Sequence, residues 1–263
     1  MKTRILSGLI MVPLLAVLYF GGYVLMAACF LIGIMAVTEF YRGFEAMGMK
    51  PCYPAAYAAI TGLYAINMFT NDYHWYMVWF FGCVLISLLY LFRIEERRLE
   101  DGLATLTGIF YIVFFSYHVL LVDQTQEYSI LVWLIVLTAF GTDIMAYFSG
   151  VFFGKHKLCP KISPKKTIEG SIGGILGSVI LSGLFSWIFI PRLLIHCVII
   201  GLLGGIVSQF GDLTASIFKR KMGIKDYGNL IPGHGGILDR FDSVLFTAPM
   251  VYYYIILILG YKG

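Results

Sequence analysis

The chain has 263 residues, of which 59% are apolar and only 13% are charged, and its mean hydropathy is +0.84. A water-soluble domain is nearer half apolar and a quarter charged, and one of this length could not bury so much apolar surface. These values exclude a soluble enzyme, a disordered chain and a nucleic-acid-binding protein, and they predict a chain solvated by lipid. The net charge of +4 says little, because the distribution of Lys and Arg over the loops matters more in a membrane protein.

Apolar runs separated by polar loops predict an all-α polytopic membrane protein with about nine transmembrane helices. The first run is short for a hydrocarbon core of about 30 Å, and only Gly21-Gly22 separates it from the second. Without that break, the first two runs would form one segment far too long for an ordinary span. The predicted spans are residues 5–20, 22–38, 53–70, 75–92, 103–122, 129–149, 171–190, 193–211 and 244–260.

The distribution of basic residues predicts the orientation of these spans. With the N-terminus in the cytoplasm, 17 of the 19 Lys and Arg residues fall on the cytoplasmic side, and only Arg192 and Lys262 fall outside. This asymmetry is the one that the positive-inside rule describes. We therefore expect a cytoplasmic N-terminus, an external C-terminus, and cytoplasmic loops over residues 155–170 and 212–243.

The two parts of the chain differ in polarity. Residues 1–130, with five predicted spans, have almost no polar group within the spans, whereas residues 139–243 contain nearly all the polar residues of chemical interest. Glycines are concentrated in spans six to eight, where small residues let helix backbones approach closely. These differences predict an N-terminal transmembrane region, 1–130, and a C-terminal catalytic transmembrane region, 131–263.

Two aspartates lie near the cytoplasmic ends of predicted spans. Asp143 follows Phe140-Gly141-Thr142, and Asp212 follows Phe210-Gly211. An ionisable residue at membrane depth costs several kcal/mol and therefore indicates function by default. The alternative is a structural role, in which each carboxylate is satisfied by a hydrogen bond between helices.

The loop over residues 155–170 contains five lysines and two prolines, and a helix is predicted to begin near Glu169. Lysines supply positive point charges, and the first turn of a helix supplies unpaired N–H groups. The segment Ser163-Pro164-Lys165-Lys166-Thr167 is therefore a candidate phosphate site. The alternative is a loop that only sets topology and is attracted to anionic headgroups.

The loop over residues 212–243 is the most polar segment of the chain. Its glycines leave room for a ligand against backbone N–H groups, and Asp239 and Asp242 share a face if their segment is helical. Together with Asp212, these two carboxylates could hold a hard divalent cation, while His234 could be a simple hydrogen-bonding loop residue. The remaining candidates here are Ser216, Lys219, Arg220, Lys225, Gly235, Gly236 and Arg240.

The order of these residues resembles the signature of the phosphatidate cytidylyltransferase family, the CDP-diacylglycerol synthases. The resemblance covers all 27 residues of 216–242, including Pro232-Gly233-His234-Gly235-Gly236 and Asp239-Arg240-Phe241-Asp242. It extends upstream to Asp143-x-x-Ala146-Tyr147 and to the segment 163–170, so the matching motifs follow in order over a span of about 100 residues. Residues 1–130 resemble the family only in hydropathy.

The resemblance implies that CMP is transferred from CTP to phosphatidic acid, which gives CDP-diacylglycerol and pyrophosphate. It implies Mg²⁺ as cofactor, with a second cation such as K⁺, a homodimer, and an integral protein of a bacterial inner membrane with its active site on the cytoplasmic side. The implied catalytic residues are Asp212, Asp239, Lys165 and Lys166, with Asp212, Asp239 and Asp242 as metal ligands. The implied substrate-binding residues are Asp143, Glu169, Ser216, Lys219, Arg220, Lys225, His234, Gly235, Gly236 and Arg240.

Two other classes of function stay open at this stage. A membrane transporter of an anionic substrate would place charges at the membrane midplane and often shows an inverted repeat. Here the charges lie at cytoplasmic helix ends, and the sequence shows no such repeat. A structural or receptor protein would not need Asp212, Asp239 and a glycine-rich loop.

Overall fold

A computed structural model describes residues 12–70, 72–230 and 235–261, and most of these residues lie in helices. The α-helices are α1 (Val12–Phe20), α2 (Gly22–Glu45), α3 (Tyr53–Phe69), α4 (His74–Leu89), α5 (Leu99–Thr107), α6 (Phe115–Asp123), α7 (Val132–Phe153), α8 (Ile168–Phe189), α9 (Leu194–Met222), α10 (Leu238–Phe241) and α11 (Val244–Leu257). A π-helix, Gly108–Phe114, joins α5 to α6, and short 3₁₀ helices cover Tyr90–Phe92, Gln126–Leu131 and Pro191–Leu193. Strands β1 (Lys157–Cys159) and β2 (Ser163–Thr167) form an antiparallel hairpin.

Six of the helical segments in the described residues are long and apolar enough to cross a membrane. They are Gly22–Glu45, His74–Phe92, Leu99–Asp123, Gln126–Phe153, Ile168–Phe189 and Pro191–Met222. Val244–Leu257 is a shorter apolar helix. These segments make the chain a polytopic integral membrane protein, as the sequence predicts.

Each predicted span coincides with a helix, although residues 5–11 of the first one lie outside the described residues. Two of the nine, at Tyr53–Phe69 and Val244–Leu257, are shorter than the six long segments, and only residues 12–20 of the first are described. The count of nine membrane crossings therefore stays a prediction.

The two predicted cytoplasmic loops contain more regular structure than the sequence pattern indicates. Residues 155–170 form the β-hairpin and the start of α8, and α9 continues past Asp212 to Met222. The helix ends where Gly223 takes a positive φ of 70°, a conformation that favours glycine. Hydropathy locates the end of the apolar stretch but not the end of the helix, because a helix can continue into water with polar side chains.

The chain divides into two compact units. The first comprises residues up to Tyr117 together with Lys221–Arg240, and the second comprises His118–Arg220 together with Phe241–Gly263. In the first unit, the core is aromatic, with Phe40 and Tyr41 fully buried and the Tyr41 hydroxyl donating to the carbonyl of Thr105 at 2.7 Å.

In the second unit, glycines let the backbones of α7, α8 and α9 come close together at two points. A Cβ atom on Gly174 of α8 would lie 2.9 Å from the carbonyl oxygen of Thr142 on α7. A Cβ atom on Gly201 of α9 would lie 2.9 Å from the carbonyl oxygen of Ser178 on α8. The glycines of spans six to eight thus allow the close approach that the sequence predicts.

Candidate active site

The hairpin between α7 and α8 places two lysines beside the start of α8. The strands pair Lys157 with Thr167 and Cys159 with Ser163, so β2 runs directly into the helix. Thr167 is the N-cap of α8, and its hydroxyl oxygen accepts a hydrogen bond from the N–H of Gly170 at 3.1 Å. The strand therefore delivers Lys165 and Lys166 to the N-terminal end of a 22-residue helix.

Glu169, in the first turn of α8, holds the beginning of the hairpin. Its carboxylate accepts hydrogen bonds from the N–H groups of Lys155 at 3.1 Å and His156 at 3.2 Å. His156 Nδ1 also lies 2.6 Å from Glu169 Oε1. These contacts direct both carboxylate oxygens of Glu169 toward the hairpin.

At the other end of the hairpin, Arg220 on α9 donates from Nε to the carbonyl oxygen of Ile162 at 3.2 Å. Ile162 lies in the turn between the two strands. The polar extension of α9 thus supports the hairpin, which explains structurally why this helix continues beyond its apolar part.

A cavity of about 410 Å³ lies between the hairpin, the C-terminal half of α7, the N-terminal end of α8 and the part of α9 around Asp212. It brings together Asp143, Lys165, Lys166 and Asp212, four of the residues that the sequence selects. Its other lining residues are Ala146, Tyr147, Gly150, Val151, Leu158, Thr167, Gly170, Ser171 and Gln209.

The central contact of this cavity is an ion pair between Lys166 Nζ and Asp212 Oδ2. Both side chains are about a quarter exposed, with values of 25% and 24%, so water screens the pair only in part. Ser216, one turn later on α9, donates its hydroxyl to Asp212 Oδ1 at 3.4 Å. Lys165 is exposed and lines the cavity.

Asp242 is buried near this cavity's carboxylates and has a strongly shifted pKa. Burial raises the pKa of Asp242 to about 8, and the negative charges of Asp212 and Asp143 add to the increase. Lys219 lowers the pKa, as does the N–H of Ser243, which donates to Asp242 Oδ1 at 2.8 Å. The charges of Asp212 and Asp143 thus act together with burial to favour the protonated form of Asp242.

Asp239 belongs to the first unit, where it organises the loop between α9 and α10. Its Oδ2 accepts hydrogen bonds from the N–H of Tyr227 at 2.8 Å and from that of Gly236 at 3.0 Å. The Gly236 N–H, which the sequence pattern offers to a ligand, is therefore used within the protein. Gly235 has a φ of 82°, as a glycine in such a tight loop can.

The remaining predicted residues of this segment have different surroundings. Lys225 is exposed and Arg240 is half-buried, and Arg240 Nε has no hydrogen-bond partner within the described residues. His234 lies outside those residues. Across residues 12–70, 72–230 and 235–261, no three His, Cys, Asp or Glu side chains come close enough together to hold a metal.

A model of the cytidylyltransferase family matches residues 2–258 of the chain. The chain belongs to this family.

Relatives similar over nearly their whole length support this assignment. The phosphatidate cytidylyltransferase of Synechocystis is 36% identical, with 97% of each chain covered. The phosphatidate cytidylyltransferase of Bacillus subtilis is 32% identical, with 96% of this chain and 97% of the relative covered. The protein of that name from Pseudomonas aeruginosa is 33% identical over 95% of each chain.

The sequence pattern did not identify a hydrogen-bonded pair of polar side chains at the cavity, Ser171 and Gln209. Ser171 on α8 donates its hydroxyl to Gln209 Oε1 at 2.5 Å, and Gln209 Nε2 donates to the carbonyl oxygens of Ser171 and Gly205, both at 3.1 Å. The pair joins α8 to α9, one turn before Asp212. A glutamine inside an apolar span, three residues from an aspartate, was the signal that could have identified it.

The raised pKa of Asp242 predicts how the metal-free protein responds to pH. Its folded pKa of about 8 exceeds its ordinary value of 3.8, so the folded state holds a proton that the unfolded state has lost. Stability should therefore fall as pH rises from about 4 to 8, by at most about 1.4 kcal/mol per pH unit, and level off above 8. Thermal unfolding in detergent with a chelator at pH 5 to 9 should show this fall in the wild type and a flatter profile in Asp242→Asn. Equal slopes in the two proteins would contradict the assignment.

Proposed function

We propose that this chain transfers CMP from CTP to phosphatidic acid, giving CDP-diacylglycerol and pyrophosphate. Membership of the cytidylyltransferase family over residues 2–258 and the near full-length relatives of that name support this activity. The geometric observation that carries the proposal is the Lys166–Asp212 pair at a cavity that Lys165 also lines. An enzyme that joins two phosphate compounds needs such a combination of cations and carboxylates.

The chemistry requires positioning more than a strong base. The lipid phosphate is already an oxyanion near pH 7, so the barrier lies in bringing two polyanions together and in stabilising the departing pyrophosphate. Lys165 and Lys166 would supply positive charge to these phosphates. In the described part of the chain Lys166 forms an ion pair with Asp212, and we expect the lysine to exchange this carboxylate for a phosphate oxygen when substrate enters.

Mg²⁺ fits the donor chemistry, although the described carboxylates do not form a ready-made group of three ligands. Magnesium prefers carboxylate oxygens combined with water and substrate phosphates, so it does not need a complete protein cage. Burial and the negative charge of Asp212 favour the protonated form of Asp242, and a cation beside both groups would favour the ionised form instead. We propose Asp212, Asp239 and Asp242 as its ligands, Asp239 on the basis of the sequence signature. When bound, the ion would neutralise the CTP phosphates and polarise the α-phosphorus.

The other assignments follow the family resemblance. A second cation such as K⁺ would accompany Mg²⁺, and the protein would act as a homodimer. Arg220, Glu169 and Ser216 are held by protein partners, so any substrate contact they make would have to share or replace those bonds. The proposed substrate-binding residues are Asp143, Glu169, Ser216, Lys219, Arg220, Lys225, His234, Gly235, Gly236 and Arg240.

The proposed location is a bacterial plasma membrane, with nine crossings, a cytoplasmic N-terminus and an external C-terminus. With this topology, the polar segments of the catalytic region, 131–263, would face the cytoplasm, where CTP is found.

Cysteine labelling of intact cells checks this topology. Lys165→Cys and Lys225→Cys should react with a membrane-impermeant maleimide only after the cells are permeabilised. Labelling of either position from outside would contradict the topology.

The activity and the role of the lysines can be measured together. Detergent-solubilised protein with phosphatidate should release pyrophosphate only when CTP is added. Lys165→Ala and Lys166→Ala should each lower kcat or raise KM at least about tenfold, because each removes a phosphate contact worth about 1.4 kcal/mol. Lys157→Ala is the matched control, since Lys157 is exposed on the same hairpin but is not among the cavity-lining residues. Wild-type kinetics in both lysine variants would favour a purely topological loop.

The metal ligands can be tested with isosteric changes. Asp212→Asn and Asp239→Asn keep size and polarity but remove the ligand charge, so turnover should fall by about two orders of magnitude or more while membrane insertion survives. Asp242→Asn should have a smaller effect if Asp242 supports the other ligands indirectly. Turnover is measured across a Mg²⁺ titration. Substantial turnover with an unchanged Mg²⁺ requirement in both Asp212→Asn and Asp239→Asn would refute the metal assignment.

A further inference from the structure

Glu39 is a buried carboxylate that the proposed mechanism does not yet use. It lies near the C-terminal end of α2 and is only 6% exposed. Its Oε1 accepts a hydrogen bond from the N–H of Ile237 at 3.0 Å, and its Oε2 accepts one from the N–H of Leu238 at 2.9 Å. The two oxygens of one side chain thus hold two consecutive backbone groups that lie almost 200 residues away in sequence.

Glu39 and Asp239 hold the same short segment of backbone. Asp239 accepts from the N–H of Gly236, and Glu39 accepts from the next two N–H groups along the chain. Asp239 also accepts from Tyr227, so both ends of the loop between α9 and α10 are attached. The position of Asp239 therefore depends on a backbone that Glu39 fixes.

Two glycines of this loop, Gly228 and Gly236, lie against the Glu39 carboxylate. A Cβ atom on Gly228 would lie 2.6 Å from Glu39 Oε1, and so would a Cβ atom on Gly236. A side chain at either position would push the Glu39 carboxylate away from the N–H groups of Ile237 and Leu238, so both positions favour glycine. Gly228 and Gly236 therefore lie directly against the Glu39 side chain.

Packing alone does not account for a carboxylate at this position. Its neighbour Phe40 fills the core without any polar group, whereas a buried carboxylate costs several kcal/mol unless it is fully hydrogen-bonded. What the carboxylate provides is control of the backbone geometry, because two hydrogen bonds to a charged acceptor restrict the backbone more than apolar contact does.

We infer that Glu39 is a positioning residue for the proposed active site: it fixes the backbone of residues 236–238 and thereby orients the carboxylate of Asp239. The inference rests on the proposed function in one respect, namely that Asp239 is a Mg²⁺ ligand. It assigns to the N-terminal transmembrane region the positioning of one proposed metal ligand, Asp239.

The test compares Glu39→Gln with Glu45→Gln. Glu45 is exposed on the same helix and is hydrogen-bonded to Tyr53, so it is a matched control. The amide that Glu39→Gln introduces offers only one acceptor oxygen, so one of the two backbone N–H groups loses its partner. Glu39→Gln should lower kcat and raise the half-saturating Mg²⁺ concentration by about tenfold each, as changes to residues behind a metal ligand do. Glu45→Gln should change neither value, and KM for phosphatidate should stay constant in both.

Limited proteolysis provides a readout that needs neither metal nor activity. Lys225 lies exposed in the same loop, so trypsin cleavage after it reports how firmly the loop is held. Without CTP or Mg²⁺, Glu39→Gln should be cleaved there several times faster than the wild type and Glu45→Gln. Gly228→Ala, which leaves the carboxylate in place but pushes against it, should have the same effects and decides the question if Glu39→Gln does not fold.

Unchanged proteolysis in the folded variants would overturn the inference, and so would a lower melting temperature with an unaltered Mg²⁺ requirement. The latter result would indicate a purely structural role. If the wild type itself released no pyrophosphate from CTP, the proposed function would fail, whereas the proteolysis would still decide whether Glu39 holds the loop.

Discussion

The cost of burying a carboxylate is the constraint on which the polar part of this structure depends. In a chain surrounded by lipid, water is scarce near the helix ends, and an ionised carboxyl group needs donors or a counter-charge from the protein itself. The described residues meet this need in two ways. Some carboxylates are surrounded by backbone N–H groups, and others face a lysine or one another.

The first kind of carboxylate builds the local fold. Asp101 is 1% exposed and accepts hydrogen bonds from the N–H groups of Lys50 at 2.6 Å and Arg98 at 2.9 Å. Glu169 holds the start of the hairpin in the same manner, and Glu39 holds the loop before α10. Their hydrogen-bonding capacity is largely used within the protein, so they fix backbone in segments that have little regular structure.

Carboxylates of the second kind could still bind a cation or respond to a bound phosphate. In the described residues Asp212 pairs with Lys166 and accepts a hydrogen bond from Ser216, and burial together with acidic neighbours raises the pKa of Asp242. A cation or a phosphate entering the cavity would exchange with these partners instead of breaking the fold. This difference separates residues that could bind substrate from residues that only shape the site. Asp239 combines both kinds, because it organises a loop and belongs to the family signature.

The sequence by itself determined that the chain is a polytopic membrane protein, where its apolar helices lie, and to which family it belongs. Those conclusions depend on composition and on short motifs, which are local along the chain. Only the tertiary structure decided that Lys166 pairs with Asp212, that Ser171 pairs with Gln209, and that Glu39 supports the loop before Asp239. Neither hydropathy nor spacing could predict these contacts, because they join residues 38 to 198 positions apart whose proximity is set by helix packing. For the same reason the sequence does not indicate the role of Glu39, since the groups that satisfy its charge are backbone N–H groups, which every residue except proline has.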